Sequence, residues 1–212
     1  YRSPYDSSKK WAQAILDLGG LPFTYFQTAV RSKDYAEAYP EHMLFNESFH
    51  EIDTFDWLNK NYTTYDFTDE GFVAHMRDVY RNLHDAGITG MMFDYPYTGW
   101  PVYGGMDDKY STAASAYRTI FKLASEGLGD EAYIHERNLK YGSDIALGYV
   151  ASQRTWGDTD VITPEMVTRS GLRWYKNRVV VNYDMDAKNL LKAQPSDSED
   201  GINKLLTMSY VT

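Results

Sequence analysis

Apolar positions along the chain fall into two alternating periods. Residues 21–28, LPFTYFQT, are a short apolar and aromatic run, the composition of a strand. From 64 the chain reads TYDFTDEGFVAHMRDVYRNLHDAG. It opens with an extended piece, then places Phe72, Met76, Val79, Tyr80 and Leu83 at helical spacing. Thr68 is the predicted N-cap, Asp69 and Glu70 suit the first turn, and Gly87 closes the helix. ITGMMFDYP (88–96) then rises from a glycine as an apolar strand and ends on Asp94. A second helix is predicted from Ser111 to about Gly127, with Ala114, Tyr117, Ile120, Phe121 and Ala124 on one face. AYIHER (132–137) is a strand ending in Glu136, and GYVASQRTWGD (148–158) is a strand ending at Asp158. Thr163-Pro164-Glu165 starts a third helix, with a cap, a proline at the first position and an acid. It is predicted to reach about Asn177, with Trp174 on its packing face. RVVVNYDMD (178–186) is another strand ending on acids, and the polar QPSDSEDG (194–201) is a solvated loop or a loose helix end.

This β-α-β-α alternation, with nearly continuous apolar strands, predicts a parallel sheet buried on both faces. Acids recur at the C-terminal ends of the strands: Asp94, Glu136, Asp158, and Asp184 with Asp186. In a (β/α)8 barrel that edge is the active-site face, and an open doubly wound sheet uses the same edge. No G-x-G-x-x-G or P-loop follows any strand, so the sequence offers no nucleotide site.

Composition narrows the ligand. Thirty acidic against 21 basic side chains give a net charge of -9, which disfavours nucleic acid as a partner. Nineteen tyrosines and five tryptophans supply rings that stack on sugars or build ordinary cores. With no cysteine, thiolate metal sites and cysteine nucleophiles are excluded. No stretch is apolar enough to span a bilayer, so no membrane role is expected. The five histidines lack H-E-x-x-H spacing, and no metal or other cofactor is expected. Trp100 follows the Asp94 strand and either stacks on a sugar or anchors its loop; Trp156, beside Asp158, leans toward the pocket. Two carboxylates at strand ends facing one pocket would match a retaining glycosidase, whose nucleophile and acid/base sit roughly 5–5.5 Å apart.

GITGMMFDYP and SQRTWGDTDVITPEMVTRSGLRWYKN resemble the strand-four and strand-six segments of the α-galactosidase (melibiase) superfamily, glycoside hydrolase families 27 and 36. The resemblance covers roughly residues 20–186 and rests on short motifs. It implies a retaining hydrolase of terminal α-galactoside-type linkages, acting on an oligosaccharide or glycoconjugate. Asp94 would be the nucleophile and Asp158 the acid/base, with Arg154 orienting hydroxyls. Glu136 would contact substrate at the end of strand five, and Asp184 and Asp186 would match the acidic turn after strand seven. Two segments depart from the pattern: the family's lysine two before the nucleophile is Met92, and Arg137-Asn138-Leu139 replaces a cysteine and glycines after strand five. These departures open two alternatives: a non-catalytic carbohydrate-binding barrel, or the same machinery acting on α-N-acetylgalactosamine or β-L-arabinopyranose. The family has further strands before 21–28 and an eighth strand, which KLLTMSYVT (204–212) would begin. The chain, which opens on Tyr1, therefore reads as one catalytic domain, 1–212. It is expected to be an incomplete TIM-type barrel lacking its first strands and its end, completed by the remaining domains of a larger polypeptide. A secreted or periplasmic location is slightly favoured.

Overall fold

A computed structural model describes residues 5–30, 33–45, 54–57, 60–96, 100, 105–137, 144–155 and 164–184. Helix α1 (Ser8–Asp17) leads into β1 (Phe23–Gln27). Next come β2 (Ala29–Val30), α2 (Lys33–Ala38), a 3-10 turn at Pro40–His42, β3 (Thr54–Trp57) and β4 (Lys60–Thr64). The chain then runs through α3 (Glu70–Asp85), β5 (Gly90–Asp94), α4 (Ala113–Leu128), β6 (Tyr133–Glu136), β7 (Ser152–Arg154), α5 (Pro164–Gly171) and β8 (Asn182–Asp184).

The main sheet has the order β1-β5-β6-β7-β8, and every neighbouring pair is parallel. This is the strand order and direction that the β-α alternation predicts, an arc of a (β/α) barrel. Strand register divides the side chains between two faces. Phe26, Phe93, Glu136, Gln153 and Tyr183 share one register row. Phe93 is fully buried and meets Tyr80 of α3 and Phe121 of α4 edge-on, so this row faces the helices. Met91 and Ile134 lie on the same face, against Phe72, Met76 and Tyr80 of α3 and Tyr117, Ile120, Phe121 and Ala124 of α4. Of the helical stripes read from the sequence, these residues are buried and Val79, Leu83 and Ala114 are partly so.

The opposite, concave face is not sealed as the apolar pattern predicts. Tyr25 on it is 47% exposed, and its outermost row is polar. Lower down, the Phe23 and Tyr133 rings lie 6.1 Å apart on either side of Gly90. A Cβ at Gly90 would come within 2.5 Å of the Phe23 ring and 2.6 Å of the Tyr133 carbonyl oxygen. The glycine that begins this strand is therefore a contact requirement.

Several boundaries differ from the sequence reading. Asp69, not Thr68, caps α3, accepting from Phe72 N at 2.6 Å. Thr68 instead donates through N and Oγ1 to Asp66 Oδ1 at 2.8 and 2.7 Å. Gly87, at φ 90°, lies one residue beyond the Ala86 cap. In α4 the cap is Thr112, in a reciprocal box with Ser115. α5 stops at Gly171, and a separate 3-10 turn holds Trp174, which is 64% exposed instead of packed. Val179 and Val180 are exposed in the turn before β8, because Arg178 takes a left-handed φ of 60° and breaks the expected long strand. A small antiparallel sheet, β2-β4-β3, intervenes between β1 and α3 and was not foreseen. The segment 194–201 and the expected start of an eighth strand at 204–212 lie outside the described residues.

Candidate active site

The C-terminal ends of the parallel strands bring together one polar row on the concave face. Gln27 of β1 is in register with Asp94 of β5, and Arg154 of β7 with Asp184 of β8. The pairing Phe93↔Glu136 puts the next residue, Arg137, beside Asp94. Arg137 N extends that ladder by donating to Phe93 O at 2.9 Å. Glu136↔Gln153 likewise puts Arg137 beside Arg154. The row therefore reads Gln27, Asp94, Arg137, Arg154, Asp184, with two acids flanking two guanidinium groups.

Asp94 is 6% exposed, and its two oxygens are held differently. Oδ2 accepts from Tyr25 OH at 2.6 Å and from Arg137 Nη1 at 2.9 Å. Oδ1 accepts from Tyr95 N at 3.0 Å. The chain turns sharply after β5 at Tyr95, whose φ of 52° is a left-handed conformation costing roughly 1–2 kcal/mol for a side chain of this kind. Thr28 Oγ1 offsets part of this cost by donating to Tyr95 O at 2.6 Å. Strain at this point is consistent with a functional site. Gln27 Nε2 donates to Tyr25 OH at 2.8 Å. The Tyr25 pKa is pushed up to about 12 by burial and then by its bond to Asp94, so Tyr25 remains a donor at neutral pH.

Glu136 is placed differently from the other strand-end acids. It belongs to the helix-facing row, is fully buried, and accepts from Tyr117 OH of α4 and from Gln153 Nε2. Burial raises its pKa to about 7, against the opposing effect of those donors and of Arg173. Trp100 stacks edge-on against Tyr117, with ring centroids 5.6 Å apart, which fits a loop anchor. Arg154 is 2% exposed at the strand end. Asp184 Oδ2 lies 3.5 Å from His135 Nε2, and His135 Nδ1 meets Ser152 Oγ at 2.5 Å. Asp158, Trp156 and Asp186 lie outside the described residues. Among the described residues no group of three acids or histidines is arranged to hold a metal ion, and no helix is long and apolar enough to cross a membrane.

The sequence reading passed over Tyr25 as a site residue and saw Arg137 only as a departure. The signal was the two-residue period: His135 and Arg137 share the face of Met92 and Asp94, whereas Glu136 does not. Reading that parity needs the register between strands, which the sequence does not supply.

A five-stranded parallel arc with intervening helices and a polar row at its C-terminal edge places the chain among the (β/α) barrels. That barrel fold is shared with solved glycosidases. The chain is similar to an alpha-galactosidase from Thermus thermophilus solved in complex with stachyose, at TM-score 0.70 and 15% identity, covering 96% of this chain and 47% of that one. It is similar also to a GH27 β-L-arabinopyranosidase from Geobacillus stearothermophilus, at TM-score 0.62 and 12% identity, covering 87% and 42%. A third likeness is to a GH31 sulfoquinovosidase from E. rectale, at TM-score 0.58 and 13% identity, covering 77% and 26%. The chain thus spans about half the length of the first of these, and at such identities the likeness is one of fold. No protein-family model matches the sequence, and no curated protein matches it.

Proposed function

We propose that this chain is the catalytic barrel portion of a retaining glycoside hydrolase acting on terminal α-galactoside-type linkages. The observation that carries the reading is Asp94: a carboxylate on the concave face at a strand C-terminus, fixed through one oxygen by Tyr25 and Arg137. In the proposed double displacement, Asp94 attacks the anomeric carbon while Asp158 protonates the leaving oxygen. Water then cleaves the glycosyl-aspartate, with Asp158 as base. Arg154 and Asp184, in the same row, bind substrate hydroxyls, and Trp156 and Asp186 are proposed as further substrate-binding residues. Glu136 and Trp100 support the site from behind through Tyr117. The fold likeness to glycosidases, including one solved with stachyose, supports an oligosaccharide substrate. The likeness to a β-L-arabinopyranosidase favours a second specificity on the same machinery, since the two sugars differ in the group carried at C5. The remaining domains of the polypeptide supply the rest of the barrel.

The test is a panel of nitrophenyl glycosides with the intact protein, followed by trapping with a fluorinated glycosyl fluoride and peptide mapping. Hydrolysis with label on the Asp94 peptide is expected. Label on another carboxylate would remove Asp94 from the role. A protein that binds sugars and hydrolyses none of the panel would be a carbohydrate-binding barrel.

A further inference from the structure

We propose that Arg137 sets the lifetime of the glycosyl-enzyme, by stabilising the Asp94 carboxylate as the group that departs when the ester breaks. The inference rests on Asp94 being the nucleophile. Its geometric basis is the unequal treatment of the two carboxylate oxygens. Arg137 and Tyr25 both occupy Oδ2, while Oδ1 accepts only from the neighbouring Tyr95 amide at 3.0 Å among the described contacts. Oδ1 is thus the attacking atom, and Oδ2 is the atom on which charge is held. Arg137 is also fixed from its own backbone, since its N–H continues the β5–β6 ladder onto Phe93 O. The position on β5 that shares the concave face with Asp94 is Met92, in register with His135, so strand β5 places no cation there itself. The guanidinium arrives from the neighbouring strand.

The charge balance of the reaction gives this contact its direction. In the first step Asp94 Oδ1 forms a bond to the anomeric carbon, the glycosidic C–O bond breaks, and the leaving oxygen takes a proton from Asp158. The negative charge of Asp94 is consumed, and the ester's remaining oxygen is a weaker acceptor for a cation. In the second step water attacks and gives its proton to Asp158. The pair of the C–O bond returns to Asp94, and the carboxylate reforms against Arg137. A cation on Oδ2 therefore favours the carboxylate over the ester. It restrains ester formation and promotes ester cleavage. A charge-assisted hydrogen bond of this kind carries about a 10- to 100-fold effect on the second step.

The experiment compares the intact wild-type protein with Arg137→Met, Arg137→Gln and Arg137→Lys on the nitrophenyl glycoside that it hydrolyses. In Met and Gln the expected result is a pre-steady-state burst and a glycosylated protein mass that dominates at steady state. Their kcat should fall about 10- to 100-fold, with KM falling further and kcat/KM rising, because the restraint on ester formation is lost. Lys keeps the charge and should return most of the turnover and remove the accumulated adduct. A fall in kcat/KM with no adduct, or a Lys variant no better than Met, would overturn the proposal. Variants that all fail to fold would also overturn it, by assigning Arg137 to stability. Wild-type label on a carboxylate other than Asp94 would instead remove the nucleophile assignment and the Arg137 role with it. Label on Asp94 together with adduct-free Met and Gln variants would remove the Arg137 role alone.

Discussion

Asp94 illustrates how much a single residue depends on groups distant in sequence. The donors to its Oδ2 come from β1 and from the residue after β6, 69 and 43 positions away. Replacing Asp94 by Gly removes the nucleophile and leaves space at the anomeric carbon. Turnover should be abolished, and azide should restore it with an inverted product, read by NMR of the anomeric proton. Asp158→Ala should behave differently, losing about 10²–10⁴-fold on poor leaving groups and far less on activated aryl glycosides. Tyr25→Phe removes one of two donors on Oδ2 and should lower kcat about 10-fold, read against an unchanged unfolding midpoint. The sequence displayed Asp94 clearly, because an apolar run that stops on an acid is visible without any partner. Tyr25 was hidden in an aromatic strand, where a tyrosine aimed at a site and one aimed at the core look the same. Glu136 misled for a related reason. It ends a strand as Asp94 does, but the strand register turns it toward Tyr117 and the helices.

At the scale of elements, strand order and direction were legible because each apolar strand is followed by an amphipathic helix, and parallel crossovers leave few topologies. Helix α1 carries a signal of its own, Ser7 as N-cap ahead of Trp11, Ala12 and Ile15 with Gly19 and Gly20 behind. The small β2-β4-β3 sheet was not legible, since β2 has only two residues and β3 and β4 are short and mix polar with apolar positions. Its junction with the barrel is made by a few named contacts. Leu44 N donates to Thr64 O, Phe45 N to Gly105 O, and Asp66 N to His42 O. Asp66 is the knot of this junction: 1% exposed, it accepts from Thr68 N and Oγ1 on one oxygen and from Asp107 N on the other. Asp69, three residues on, makes a single cap bond to α3. The two acids therefore predict different costs. Asp69→Ala should destabilise by about 1 kcal/mol, the usual loss of an N-cap. Asp66→Ala leaves three donors without their acceptor and should cost about 3 kcal/mol. Urea midpoints at constant slope measure both, and equal losses would mean that Asp66 does not tie the 105–108 segment to α3.

For the molecule as a whole, the arc of parallel strands and the net charge of -9 combine into a prediction about pH. Glu136 is buried between the sheet and α4, and its pKa rises from 4.5 to about 7. An acid whose pKa is raised by folding binds more protons in the native state than in the unfolded one between those values. Stability then falls as pH rises. The penalty is absent below about 4.5, grows up to about 7, and stays on the order of 3 kcal/mol above that. Asp66, whose pKa burial also raises, acts in the same direction. Self-repulsion of a net negative surface does so as well, so all three place the stability maximum in mild acid. They separate by salt and by substitution. Salt at about 0.5 M shortens the range of surface repulsion to a few ångströms and reaches the buried Glu136 far less. Glu136→Gln removes the buried charge and still accepts from Tyr117, provided that Gln153 turns its amide to meet the new one. The groups facing this position are Tyr117 of α4, Gln153 of β7, and Arg173 and Asp144 at longer range. The expected outcome is a wild-type unfolding midpoint that drops from pH 5 to pH 8 even in high salt. Glu136→Gln should match the wild type at pH 5 and exceed it at pH 8. If both proteins lose stability equally across that range in high salt, the Glu136 carboxylate is not what makes the fold prefer acid; a loss that appears only in low salt belongs to surface charge.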